Sequence, residues 1–273
     1  MSLADRSERA PPPDQAHGLR RLFAQPLALV PVVANPHMPC SGVLIERLCA
    51  ALGAIGTTTL VVDAADNAPP ADELATMDLA HCVEPLTPTM SYLAARALPL
   101  RYVDARGSTA GFLQAVLDAA PQAGAVLVHG SASDLARMFA RQTLAAQVVP
   151  LLLADDRPAS VTHAYAALKW LALRARLHVF HLLLEIDPAS PRAARIAEQI
   201  GRCADRYVGA LLRDCSVVDP AGHAAEAPPA SLRQLARTLV AAPHADGGAA
   251  ARVRSLALRS SQRAAAPAIE AVN

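Results

Sequence analysis

Lysine is almost absent: of the 25 lysine and arginine residues in this 273-residue chain, only Lys169 is a lysine. A Walker A loop closes a glycine-rich turn with Lys-Ser/Thr, and Lys169 stands in Tyr165-Ala-Ala-Leu-Lys-Trp170 with no glycine nearby. An intact P-loop is therefore excluded. The basic excess that a broad nucleic-acid-binding surface needs is also missing, because the formal net charge is +1. No uninterrupted apolar run approaches the roughly 18 residues of a membrane span. The five cysteines (Cys40, Cys49, Cys82, Cys203, Cys215) are odd in number, scattered and without a CxxC, which reads as reduced intracellular thiols rather than a disulfide framework. Residues 1–13 hold arginines and prolines around no apolar core, so they are not expected to be a secretory signal. G-x-S-x-G, H-E-x-x-H and G-x-G-x-x-G are all absent.

What is present is an alternation. Short apolar runs at 27–33, 59–62, 125–128, 149–154 and 179–184 read as strands buried on both faces, with 100–103 as a sixth. Longer alanine-rich patterns at 43–52, 90–97, 110–119, 133–146, 160–176 and 191–207 read as helices. The layout predicts an α/β fold, a mostly parallel β-sheet flanked by helices on both faces, with ligand chemistry at the carboxyl ends of the strands. Ser160 is the expected N-cap of one helix, and Ser190 precedes Pro191 at the first turn of the next. We divide the chain into an N-terminal arm (1–25), the α/β domain (26–219) and an Ala/Pro-rich tail (220–273) with short helical patterns around Leu232, Leu235, Leu239 and around Val253, Leu256.

Three strand ends carry polar residues. After the first strand comes Asn35-Pro36-His37-Met38-Pro39-Cys40-Ser41-Gly42, where two prolines remove N–H donors and one glycine allows close approach. Ser41 is the expected N-cap of the helix that follows. Asp63 and Asp66, after the second strand, suit a metal, a water or a ribose hydroxyl, or equally a solvated cap. His129, at the end of 125–128, is a general base or an ordinary polar terminator. His37 with Cys40, and His178 with His181, have metal-like spacings, yet neither makes a four-ligand set, and no metal site is assigned.

Two stretches resemble a known family. Asp14-Gln15-Ala16-His17-Gly18-Leu19-Arg20 is similar to the D-Q-A-x-x-L-R segment at the N-terminus of FlhG (FleN), the MinD/ParA-like regulators of flagellar number. Pro158-Ala-Ser-Val-Thr-His-Ala-Tyr-Ala-Ala-Leu-Lys169 resembles that family's P-x-S-x-x-D-A-Y-A-x-x-K, with His163 in place of the aspartate. The likeness extends over residues 14–219 and implies a degenerate MinD/ParA-like P-loop NTPase fold. It puts 35–42 where the family has G-K-G-G-V-G-K-T, so Pro36 takes the signature-lysine position and Ser41 the Walker-lysine position; a slip of one residue puts Cys40 there instead. By the same resemblance Asp63 lies on the strand that delivers an aspartate toward magnesium and the attacking water. His129 replaces the switch aspartate, and Glu185 falls near the base-contacting asparagine.

The resemblance therefore implies a pseudo-ATPase, with the family's ATP and magnesium not expected as cofactors. It also implies that Asp14, Gln15, Ala16, Leu19 and Arg20 engage an FlhF-like GTPase. Ala16, Leu19, Leu22 and Phe23 have amphipathic helical spacing that fits such a contact. Flagellar basal-body or transcription-regulator proteins are further expected partners. Nucleic acid is not, and the tail's few large apolar residues imply weak or indirect membrane contact. The expected place is the cytoplasm, at the inner membrane through partners. Two alternatives stay open: a noncanonical ATPase using arginine with Asp63 and Asp66, and a non-flagellar MinD/ParA-like accessory protein.

Overall fold

The computed structural model describes residues 27–76, 78–140, 147–222 and 226–241. Within them one sheet runs in the order β3-β4-β2-β5-β1-β7-β8-β9, with the two-residue β6 paired to β1. The strands are β1 Ala28–Val33, β2 Thr59–Asp63, β3 Glu84–Thr87, β4 Met90–Ala94, β5 Ala125–Gly130, β6 Gln147–Val148, β7 Leu151–Asp155, β8 Val179–Glu185 and β9 Leu211–Val218. The helices are α1 Ser41–Gly53, α2 Ala110–Ala119, α3 Ala132–Phe139, α4 Pro158–Ala175, α5 Arg192–Val208 and α6 Ala230–Val240. Every pairing is parallel except β3 with β4.

The two-residue period of the central strands builds a core on each face. Leu29, Val33, Leu60, Val62, Val126, Val128, Leu152 and Leu182 pack beneath Phe112 and Leu113 of α2, Leu135 of α3, Leu168 and Leu171 of α4 and Ile200 of α5. Their alternates Val30, Val32, Val61, Leu127, Leu151, Leu153 and Leu183 face Leu44, Leu48 and Leu52 of α1 and Leu232, Leu235 and Leu239 of α6. The pattern read at Leu232, Leu235 and Leu239 is thus the buried stripe of α6, and the cover of this face extends past residue 219. Proline marks the one interruption near the centre. β1 pairs with β6 at Ala28 and Leu29, then with β7 at Val32 and Val33. Pro31 and Pro150, each without an N–H, lie in the gap between those pairings.

Four expectations are corrected. Residues 90–97 do not form a helix; Met90–Ala94 is strand β4, in unbroken parallel register with β2 from Thr59↔Met90 to Asp63↔Ala94. Sheet pairing overrides the helical preference of leucine and alanine there. Residues 100–103 are not a strand: 100–102 belong to a 3-10 turn, Leu98–Tyr102, with Pro99 near its start, which stacks Tyr102 on Phe112 at 5.4 Å between ring centres. The helix read at 133–146 ends at Phe139, and 141–146 lie outside the described residues. Ser160 is not an N-cap, because Pro158 already occupies the first helical turn and leaves Ser160 buried inside it. Ser190 does accept a bond from the Arg192 N–H, at 3.3 Å, at the start of α5.

Candidate functional site

The carboxyl ends of β1, β2, β5, β7 and β8 bring Asn35, Asp63, His129, Asp155 and Glu185 to one edge of the sheet. At β1 the chain turns through residues 34–40 into α1. The Met38 N–H donates to the Asn35 carbonyl at 2.9 Å, the Ser41 N–H to the Met38 carbonyl at 3.3 Å, and the His37 N–H to Asn35 Oδ1 at 3.1 Å. These amides would have to face outward to cradle phosphate, and they are consumed inside the turn. Pro36 and Pro39 offer no N–H at all. Met38, at a position where the resembled family has glycine, buries its side chain in the α1–α6 core. Ser41 is not the N-cap; that position is Cys40, which makes no side-chain capping bond, and Ser41 is the buried first residue of α1.

Asn35 anchors this turn to the next strand. Its Nδ2 donates to the Leu153 carbonyl at 2.8 Å, to Ser160 Oγ at 3.0 Å and to the Ser160 carbonyl at 3.1 Å, and only 3% of the residue is exposed. Ser160 Oγ also accepts from the Asp155 N–H at 3.0 Å. Arg157 spans the outside. Its Nε donates to Asp155 Oδ2 at 2.7 Å, and its Nη2 donates to the His37 carbonyl. His163 Nε2 lies 3.2 Å from the Ala34 carbonyl, and its ring meets His37 edge-on with centres 6.0 Å apart. The turn is therefore fastened from within by an amide and from without by a guanidinium.

On the other side of β1, Asp63 and His129 are direct neighbours in the β2–β5 register. His129 Nδ1 is 2.9 Å from Asp63 Oδ1, the Tyr92 hydroxyl donates to Asp63 Oδ2 at 3.2 Å, and the Ala65 N–H donates to Oδ1 at 3.2 Å. Burial alone would raise the Asp63 pKa, but the hydrogen bond and charge of His129, then Ala65 and Tyr92, outweigh it and hold the carboxyl below its usual 3.8. Burial, then the Asp63 charge, pushes the Tyr92 phenol up to about 12. His129 Nε2 is enclosed without a hydrogen-bond partner among the described residues.

Because folding lowers the Asp63 pKa, its contribution to stability is present above the unfolded value and is lost as pH falls through the lower folded value. Replacing Asp63 by Asn should therefore lower Tm near pH 7, and the gap to wild type should narrow as pH falls below about 4. Thermal melts across pH 2.5 to 7 check this; a gap that stays constant with pH contradicts a lowered Asp63 pKa in the folded chain.

Glu185 ends β8 beside Asp155, and its pKa is raised first by burial and then by the Asp155 charge, against the pull of Arg47 and Arg157. Arg47, nearly buried on α1, donates to the Asp219 carbonyl at 2.7 Å. Of the other residues singled out, His37, Cys40 and Gly42 are exposed, and Asp66 is exposed and shares no hydrogen bond with Asp63. His178 is exposed while His181 is buried within β8. Asp14, Gln15, Ala16, Leu19 and Arg20 lie outside the described residues. Sequence reasoning missed Tyr92, Arg157 and the tie through Ser160. An arginine two residues past Asp155 at a strand end was the available signal for one of them. No group of three or more His, Cys, Asp or Glu able to hold a metal occurs among the described residues. None of their helices is long and apolar enough to cross a membrane.

The residues at this edge do not fit ATP with magnesium. The loop amides are spent, the sole lysine is exposed midway along α4, and the carboxylate that would approach a metal is bound to a histidine.

No family model matches the chain, and no curated protein matches it in sequence. Solved structures do match in shape. The MinD cell division protein of Aquifex aeolicus is 10% identical with a TM-score of 0.50, covering 80% of this chain and all 100% of that one. A chain of the MinC:MinD cell division protein complex of the same organism is 11% identical with a TM-score of 0.51, covering 80% of this chain and 98% of that one. At such identity the likeness is one of architecture, and the architecture of this chain is the MinD/ParA-type P-loop NTPase fold.

Proposed function

We propose that the chain is an FlhG-like regulator of flagellar number or placement that works as a pseudo-ATPase and acts by binding. Its N-terminal arm, through Asp14, Gln15, Ala16, Leu19 and Arg20, engages an FlhF-like GTPase and stimulates GTP hydrolysis. The observation that carries this reading is a contrast. The phosphate turn at 34–40 is closed on itself and lysine-free, while the D-Q-A-x-x-L-R segment is intact. An arm of this kind needs no nucleotide in its own domain: in sequence, Ala16, Leu19, Leu22 and Phe23 have the spacing of an apolar helix face, Asp14 is a residue type suited to capping it, and Gln15 and Arg20 are the polar groups for the partner's nucleotide site. Basal-body or transcription-regulator proteins are further partners in this reading, and contact with them at the inner membrane gives the protein its place.

The arm is testable by itself as a ligand. GTP hydrolysis by an FlhF-type GTPase should rise when a synthetic peptide of residues 1–25 is added and stay at the basal rate with the Gln15→Ala peptide. No stimulation, or equal stimulation by both peptides, removes the proposed role.

A further inference from the structure

A groove of about 500 Å³ opens between the turn at 106–108, α3 and the second half of α4. Among the described residues it is lined by Arg106, Arg137 and Arg174, by Ser108 and Ser133, and by Trp170, with no carboxylate among them. In a chain with a net charge of +1 this is a local concentration of guanidinium groups. Asp134 approaches Arg137 at 3.8 Å.

The walls are held in place. Asp104 Oδ1 accepts from the Arg106 and Ser108 N–H groups, both at 2.8 Å, and Gly107 takes a positive φ of 75° that closes the turn. The turn is tied to the end of α3, because Ser108 Oγ donates to the Arg137 carbonyl at 3.3 Å and the Thr109 N–H to the same oxygen at 3.2 Å. Across the groove, Arg174 lies over the Trp170 ring at 5.1 Å, one helical turn away on α4. Trp170 is 44% exposed, and Leu173 beside it is 60% exposed. Large apolar side chains left in water beside prearranged cations form a surface suited to a partner that is both acidic and apolar.

We propose that this groove is a docking site for an acidic peptide segment of a partner protein, its carboxylates meeting Arg106 and Arg174 and one aliphatic side chain covering Trp170 and Leu173. Carboxylates bind guanidinium forks in bidentate fashion. Single-stranded nucleic acid fits less well. Arg174 already covers one face of the tryptophan, and the near-neutral chain lacks the extended basic track that a phosphate backbone follows. The proposal is independent of the N-terminal arm.

Trp170 is the only tryptophan, so its emission reports occupancy of the groove in the full chain without a label. The probes are a Glu- and Asp-rich peptide carrying one leucine, an oligothymidylate of the same length, and vesicles of anionic phospholipid. Titration with the peptide should give a saturable change in emission that weakens with added salt. The Arg106→Glu, Arg174→Glu double variant, altered only at exposed side chains, should bind the peptide about tenfold more weakly or worse. It should melt where the parent melts. The proposal is overturned if the peptide leaves the emission unchanged, if the double variant binds it equally well, or if only the oligothymidylate or only the vesicles bind.

Discussion

Replacing Asn35 by alanine is expected to destabilise the fold by about 3 kcal/mol, because one buried amide bonds the β1–α1 turn to Leu153 and Ser160 of the β7–α4 junction. The change removes three donated bonds and the one accepted from His37, and it leaves buried polar partners around Leu153 and Ser160 with less to bind. At this chain length such a loss lowers Tm by roughly 6 to 12 °C. Asn35→Asp should be worse than alanine near neutral pH, because a carboxylate would face the Leu153 and Ser160 carbonyls where an amide now donates. Thermal melts at pH 7 give both values. A shift of only a degree or two for alanine would show that the outer clamp of Arg157 on Asp155 and His37 is enough to hold the turn.

The second large effect concerns nucleotide. In the resembled family two lysines and a run of outward amides meet the phosphates. A hydrogen bond to a charged group contributes about 1.5 to 3 kcal/mol, so losing the two lysines alone weakens binding by roughly 10² to 10⁴. Here the amides of His37, Met38 and Ser41 are bonded internally as well. Calorimetric titration with ATP and magnesium should show no saturable binding below about 1 mM. Arginine is not a local substitute, since its planar group does not fit the lysine's place in a phosphate loop. Micromolar binding abolished by Asp63→Ala would instead establish the noncanonical ATPase, with Asp63 released from His129 to meet the metal.

The parts of the molecule legible in the sequence are those written in local pattern. The apolar runs at β1, β2, β5, β7 and β8 are recognisable because strands covered on both faces must be apolar throughout. β4 is not, because Met-Ser-Tyr-Leu-Ala has no strong period and becomes a strand only by pairing with β2. β3 is short, exposed and holds Pro85, which gives it no signal beyond tolerance of a sheet edge. The site divides in the same way. Asp63 and His129 each stand out at a strand end, but their hydrogen bond joins residues 66 positions apart and depends on β2 and β5 being neighbours. Asn35 reads as part of a damaged phosphate loop, whereas its partners lie 118 and 125 positions away. Local sequence carries the loss of the lysines, and only the fold shows what took over the space.

The central claim is a regulator that acts on its partner without a nucleotide of its own. The measurement that tests it most directly is GTP hydrolysis by an FlhF-type GTPase with the intact chain, with a chain lacking residues 1–25, and with the intact chain plus the nonhydrolysable analogue AMP-PNP. The account predicts stimulation by the intact chain, none by the shortened chain, and no change when AMP-PNP is added. Stimulation that requires AMP-PNP, or that survives removal of residues 1–25, would contradict it.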